Sequence, residues 1–217
     1  MIEPTHTNPQ YNPENTVIAF DLQRVMFYYD FRKLMRMLLA GPKKWRMLGW
    51  AFHPGVMWQL LKFLFSRQPF EVFVREVLEP KYPSFPISGI FHAMAACMYP
   101  ISGTIEIIHE LHAQKYELYL FSNIDEERFG YLKAFHPTIF APFTDCFIRS
   151  DKNYMLRKPE LALYREFIDD SHLQSKHIIF IDDRIENIEA GRKMGMDGIQ
   201  FQSPEQVRRE LENRKIL

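Results

Sequence analysis

The chain has 217 residues, 47% of them apolar and 25% charged, with 27 basic side chains against 27 acidic ones. These ordinary globular proportions exclude a wholly disordered or membrane-embedded chain, and the level charge gives no global pull toward nucleic acid. At roughly 100–200 residues per domain, the length fits one domain or a domain carrying an insert.

In chain order, residues 1–15 form a polar leader with Pro4, Pro9 and Pro13, without the charged start, apolar stretch and cleavage site of a signal peptide. Residues 17–20 are the first apolar run of strand length. Residues 27–99 then separate it from the next run by far more than one crossover helix needs. Helical patterns there are broken by Gly41-Pro42, Pro54-Gly55, Pro69, Pro80, Pro83 and Pro86, which predicts an inserted subdomain of three or four short helices.

Further strand-length runs follow at 116–121, 146–148, 177–181 and 198–201. Between them lie residues at helical spacing: Ile105, Ile108 and Leu111; Leu161, Tyr164 and Ile168; Ile185, Ile188 and Met194. Strands alternating with helices predict an α/β, Rossmann-like fold, with a mostly parallel sheet covered by helices on both faces. The expected division is a core of residues 16–26 and 100–217 around a helical cap insert at 27–99. Gly195 is placed to end a helix, and Ser203-Pro204-Glu205-Gln206 to start the last one through a capping box.

Cys97 and Cys146 form neither a disulfide framework nor a metal ligand set, so a reducing, cytoplasmic location is expected. No apolar run approaches the roughly 18–20 residues that span a bilayer.

In an open α/β sheet, ligands bind beyond the carboxyl ends of the strands. Four polar sites stand there: Asp21 after the first run, Ser122-Asn123 after the second, Lys158-Pro159 after the third, and Asp182-Asp183 after the fourth. Taken singly, Ser122 and Asp183 also have a reading as helix caps, the lesser of the two, and Lys158 is equally readable as a solvated surface lysine. Asp21 is harder to dismiss, because a carboxylate directly after an apolar strand is either at a site or expensively buried.

The ordered set, with the phrases Ser122-Asn123-Ile124-Asp125, Lys158-Pro159-Glu160 and Phe180-Ile181-Asp182-Asp183, resembles the four motifs of the haloacid dehalogenase superfamily. That resemblance implies phosphoryl transfer through an aspartyl intermediate. Asp21 would be the nucleophile, Ser122 would hold a phosphoryl oxygen and Lys158 would neutralise another. Mg²⁺ would be bound by Asp21, the backbone carbonyl of Gln23, and Asp182 or Asp183. Gln23, Arg24 and Asn123 would face the substrate, a small anionic, phosphorylated molecule.

The chain departs from the phosphatase pattern at Gln23, where the resemblance calls for a second aspartate. An amide cannot protonate a leaving oxygen or activate water. Losing that help costs on the order of 10²–10⁴ in rate, which implies a weakened or specialised enzyme. A non-catalytic binding or regulatory relative is the alternative reading. A dehalogenase-type hydrolase, which needs no leaving-group proton, ranks third because Asp182-Asp183 resembles a magnesium site. Arg24 stands where glycine is common: its guanidinium either binds an anionic group of the substrate or points outward to pair with a surface acid, and the turn after the first strand is expected to avoid positive φ.

Within the insert, Arg32, Lys33, Arg36, Lys43, Lys44, Arg46, Lys62, Arg67 and Arg75 meet only Glu71 as an acid between residues 31 and 75. Trp45, Trp50, Trp58, Phe52, Phe63, Phe65, Phe70 and Phe73 are interleaved with them. Such a segment either closes over an anionic substrate or touches an anionic surface, against the plainer reading of aromatic core and solvated cations.

Overall fold

The computed structural model describes residues 11–40, 49, 52–64, 73–84, 87–150, 153 and 155–217. Five strands form one parallel sheet: β1 (Thr16–Phe20), β4 (Glu117–Asp125), β5 (Asp145–Arg149), β6 (His177–Asp182) and β7 (Asp197–Gln200). Their order is β5-β4-β1-β6-β7, with β1 central. Ile18 is level with Leu118 on one side and Ile179 on the other.

The strands read as unbroken apolar runs because helices cover both faces of the sheet. Side chains alternate across it. Ile18, Phe20, Leu118 and Ile179 pack against Ile107, Ile108 and Leu111 of α4 (Ser102–Ala113) and Val207 and Leu211 of α8 (Pro204–Asn213). On the opposite face, Val17, Ala19, Phe121 and Phe180 meet Leu163, Tyr164 and Phe167 of α6 (Leu161–Asp170) and Ile188 of α7 (Ile185–Lys193). Phe121 and Phe167 stack there with centroids 4.5 Å apart.

The helix ends follow their sequence signals. Gly195 has φ 83°, and the N–H groups of Gly195 and Met196 each reach back 3.0 Å to Arg192 and Gly191 carbonyls, closing α7. Ser203 Oγ accepts from Gln206 N at 3.2 Å and caps α8. Gln206 Oε1, however, accepts from Gln202 N rather than Ser203 N, so the predicted capping box is displaced by one residue.

A two-stranded antiparallel ribbon, β2 (Phe27–Tyr29) with β3 (Met98–Pro100), brackets the helical insertion. Between them are α1 (Phe31–Ala40), α2 (Pro54–Leu64) and α3 (Ile87–Ala95), with shorter helical turns at Val74–Leu78 and Glu79–Lys81. Helix α3 lies against α5 (Glu126–Phe135) of the sheet domain. Among the described residues no helix is long and apolar enough to cross a membrane.

The basic and aromatic residues of the insertion divide. Phe73 is buried with Leu78, Ile87 and Phe91, whereas Phe52 and Trp58 are exposed. Lys33 is tied to the Ala96 carbonyl and the Tyr99 hydroxyl, and Lys62 lies over Trp58; Arg32 and Arg36 are exposed. Lys43, Lys44, Trp45, Arg46, Trp50, Phe65, Arg67 and Phe70 lie outside the described residues, as do the side chains of Phe63 and Arg75.

Candidate active site

The carboxyl ends of β4, β1 and β6 meet at one point because the chain leaves β1 toward one side of the sheet and returns on the other. Asp21 directly follows β1, and its N–H donates to the Ile181 carbonyl at 2.9 Å, which fixes it level with the end of β6. Lys158 is 3% exposed, so it is no surface lysine. Its ammonium donates to Asp21 Oδ1 at 2.8 Å, Asp182 Oδ2 at 2.7 Å and the Phe121 carbonyl at 2.8 Å, using all three protons. A cis peptide joins Lys158 to Pro159.

Asp182 is fully buried and held on both oxygens by Asn187 Nδ2, at 2.9 and 3.0 Å, and on one by Arg184 N. Tyr164 in turn donates to the Asn187 carbonyl at 2.9 Å. Asp183 points to the open side. Carboxylate oxygens of Asp21, Asp182 and Asp183 all lie within 4.8 Å of one another. Three hard oxygen donors at this spacing fit a divalent cation such as Mg²⁺.

Burial pushes the Asp21 carboxyl up to about 6, against the lowering effect of Lys158. For Lys158, burial favours the neutral amine, but Asp21 and Asp182 outweigh it and hold the ammonium charged above its usual range. Burial also raises Asp183, helped by Asp182 and opposed by Arg24.

Ser122 and Asn123 fall where the β4–β5 register shifts, between Phe121 and Asp125. Such an irregularity re-aims side chains at a strand end. Ser122 is buried, and its Oγ accepts from Ile124 N at 3.4 Å; Asn123 bonds the Lys158 backbone. Neither residue caps a helix: that role on α5 falls to Asp125, which accepts from Arg128 N. Arg184, not Asp183, is the cap residue of α7.

The turn between β1 and β2 overturns one expectation. Arg24 has φ 61°, in the left-handed region, although it is not glycine. The closure is enforced by its neighbours, since Arg24 N donates to the Phe27 carbonyl at 2.7 Å while Met26 and Phe27 donate to the Leu22 carbonyl. The side chain of Arg24 is 81% exposed and stands 3.6 Å from Asp183, so its nearest anion is a carboxylate of the site itself.

A cavity of about 540 Å³ opens above these groups. Asp21, Gln23, Arg24, Ser122, Asn123, Lys158 and Asp183 reach its wall, whereas Asp182 is fully buried. Four further arginines also line it: Arg128, Arg149, Arg157 and Arg184. These were missed from sequence. Arg149 ends β5, so the strand-end rule that selected Asp21 applied to it equally. Arg128, paired with Asp125, carried no such mark. Cations outnumber acids on this wall, which makes the local field positive.

A sequence profile described as haloacid dehalogenase-like hydrolase matches residues 87–201. That span includes Ser122, Lys158, Asp182 and Asp183, and stops short of Asp21. A protein of Aspergillus oryzae named sesquiterpene phosphatase astK is 26% identical over 117 residues, 54% of this chain; the match spans 58% of that protein's length. Among solved structures, a family enzyme of Bacteroides thetaiotaomicron, in complex with magnesium and inorganic phosphate, superposes with TM-score 0.59 at 17% identity. The match covers 87% of this chain and 95% of that one. The L-2-haloacid dehalogenase of Xanthobacter autotrophicus, with chloropropionic acid covalently bound, gives TM-score 0.55 at 15% identity, over 93% and 84% of the two chains. At these identities the structural likeness speaks for the fold.

Proposed function

Since the chain belongs to the haloacid dehalogenase-like hydrolases, we propose that it is a Mg²⁺-dependent, phosphatase-type enzyme that attacks a small phosphorylated molecule with Asp21. The observation that carries this reading is the bridge of Lys158 between Asp21 and Asp182 at 2.8 and 2.7 Å, at the floor of a cavity rich in arginine. Phosphoryl transfer asks a protein mainly for positioning and charge neutralisation, and this arrangement offers both. The match to a protein named as a phosphatase supports the same chemistry.

In the proposed reaction an Asp21 carboxylate oxygen attacks phosphorus in line. A bond from Asp21 to phosphorus forms as the ester oxygen–phosphorus bond breaks, and the departing oxygen takes its proton from water because Gln23 has none to transfer. Ser122 and nearby backbone N–H groups hold one phosphoryl oxygen; Lys158 and the wall arginines neutralise the others. Asp21, Asp182, Asp183 and the Gln23 carbonyl would hold Mg²⁺, which supplies further neutralisation of phosphoryl charge. Water then attacks the aspartyl phosphate, releasing inorganic phosphate and free Asp21. With no carboxylate at position 23 to activate that water, this second step is the slow one.

The test is to incubate wild type and Asp21→Asn with Mg²⁺ and a panel of phosphate esters and acetyl phosphate, following free phosphate and covalent phosphoprotein. Turnover or phosphoprotein that needs Asp21 supports the proposal; neither product in wild type across the panel sinks it. Gln23 itself favours a second reading, a protein that binds a phosphorylated ligand without turning it over. Tight binding of orthovanadate or phosphate esters with no turnover would select that one.

A further inference from the structure

A second cavity, of about 670 Å³, lies beside the first and shares Gln23, Arg24 and Arg128 with it. Its remaining wall is Phe27, Tyr28, Tyr29, Met94 and Met98. Four of those five residues belong to the β2–β3 ribbon, whose ladder pairs Tyr28 with Tyr99 and Tyr29 with Met98. Phe27 is fixed beneath it, stacked on Phe140 at 5.9 Å and 1% exposed, while Tyr28 stacks on Tyr99 at 5.4 Å and remains 51% exposed.

We propose that this cavity receives the organic group of the substrate, and that the substrate is therefore an amphiphilic phosphate monoester carrying an alkyl or aryl group. The assignment rests on the phosphatase reading for the word substrate, and on geometry alone for the binding site. Charge is arranged along the path: the cationic wall around Lys158 comes first, Arg24 and Arg128 stand where the two cavities meet, and the space beyond is aromatic and thioether. Methionine suits an apolar ligand of irregular shape, because its side chain adapts at small cost. A sugar hydroxyl set against Phe27, Met94 or Met98 would go unmet, which is expensive, whereas an alkyl or aryl group loses nothing there. The volume is in the range of small-molecule sites, roughly 300–1,000 Å³.

The test uses the full chain and non-hydrolysable methyl-, butyl- and octylphosphonate, titrated calorimetrically with and without Mg²⁺, below any micelle-forming concentration. Affinity should rise about two- to fourfold per added methylene over the first several carbons. Inorganic phosphate should displace the long-chain ligand. In Tyr28→Asp the ratio of octyl to methyl affinity should fall at least tenfold. Equal affinity across the series, or octylphosphonate binding that phosphate does not displace, overturns the proposal. Hydrolysis of the matching alkyl phosphates separates the two claims. Turnover indifferent to chain length removes the apolar subsite and leaves the phosphatase; chain-length-dependent binding with no turnover on any ester does the reverse.

Discussion

Asn123 and Lys158 are joined twice through the lysine backbone: Asn123 Oδ1 accepts from Lys158 N at 2.8 Å, and Asn123 Nδ2 donates to the Lys158 carbonyl at 3.4 Å. The end of β4 thereby sets the loop that aims the ammonium at Asp21. Asn123→Ala should cost about 1–3 kcal/mol, read from urea denaturation, because it strands a largely buried N–H. Any Asp21-dependent turnover should fall with it. Asn123→Asp keeps the acceptor and should be the milder change in stability.

Lys158 compensates two buried carboxylates. Lys158→Met should destabilise by about 3–5 kcal/mol, and adding Asp182→Asn should recover part of that loss. Millimolar Mg²⁺ should raise the Tm of wild type and EDTA should reverse the rise, since an ion that binds only the folded chain stabilises it. In Asp183→Asn the Mg²⁺-dependent shift should shrink or vanish. A Tm indifferent to Mg²⁺ in wild type would argue against the metal site.

Gln23 is exposed on the cavity wall beside Asp21. Gln23→Asp supplies the missing acid and base at a position open to water, and phosphate release should increase on the order of 10²–10⁴-fold. An unchanged rate would mean that position 23 does not reach the leaving oxygen.

The left-handed Arg24 predicts an unusual mutational order. Arg24→Val should destabilise by roughly 1–2 kcal/mol, because a branched side chain fits that region of backbone space poorly. Arg24→Gly should be neutral or stabilising by up to about 1 kcal/mol, the relief of strain being offset by the freedom glycine regains on unfolding. Guanidinium denaturation of the three proteins gives the ranking.

Away from the site, Asp197 joins Tyr11 and Arg214, each at 2.9 or 2.8 Å. Burial alone would raise the Asp197 carboxyl, but the Arg214 guanidinium and the Tyr11 hydroxyl hold it below its ordinary value of 3.8. A depressed carboxyl stabilises the fold fully above its unfolded pKa and loses that contribution as pH falls through its lower folded value. Asp197→Asn should therefore cost about 1 kcal/mol at neutral pH. The gap from wild type should close as pH falls through that lowered value, in thermal melts taken across the acid range.

The sheet was legible in the sequence because parallel strands buried on both faces are unbroken apolar runs, and Asp21, Ser122 and Asp182 sit at the ends of such runs. The ribbon was not. At three residues each, β2 and β3 are too short to show alternation, and Pro100 masks the second. The conformation of Arg24 is imposed by hydrogen bonds between Leu22 and Phe27, which side-chain type does not announce. Arg128 and Arg157 reach the cavity from beyond the strand ends, so only tertiary packing brings them there.

The central position of β1 also orders events during synthesis. Val17 finds its two lateral partners at Glu117 and Ile178, and Asp21 finds its counter-charge at Lys158, which it shares with Asp182. A nascent chain that has emerged only as far as the insertion holds Asp21 without the lysine that pairs with it. Such distant pairings are slow to form. A ribosome-bound fragment ending before β6 lacks Asp182 and one lateral partner of β1, and on the proposed reading should have no hydrolytic competence.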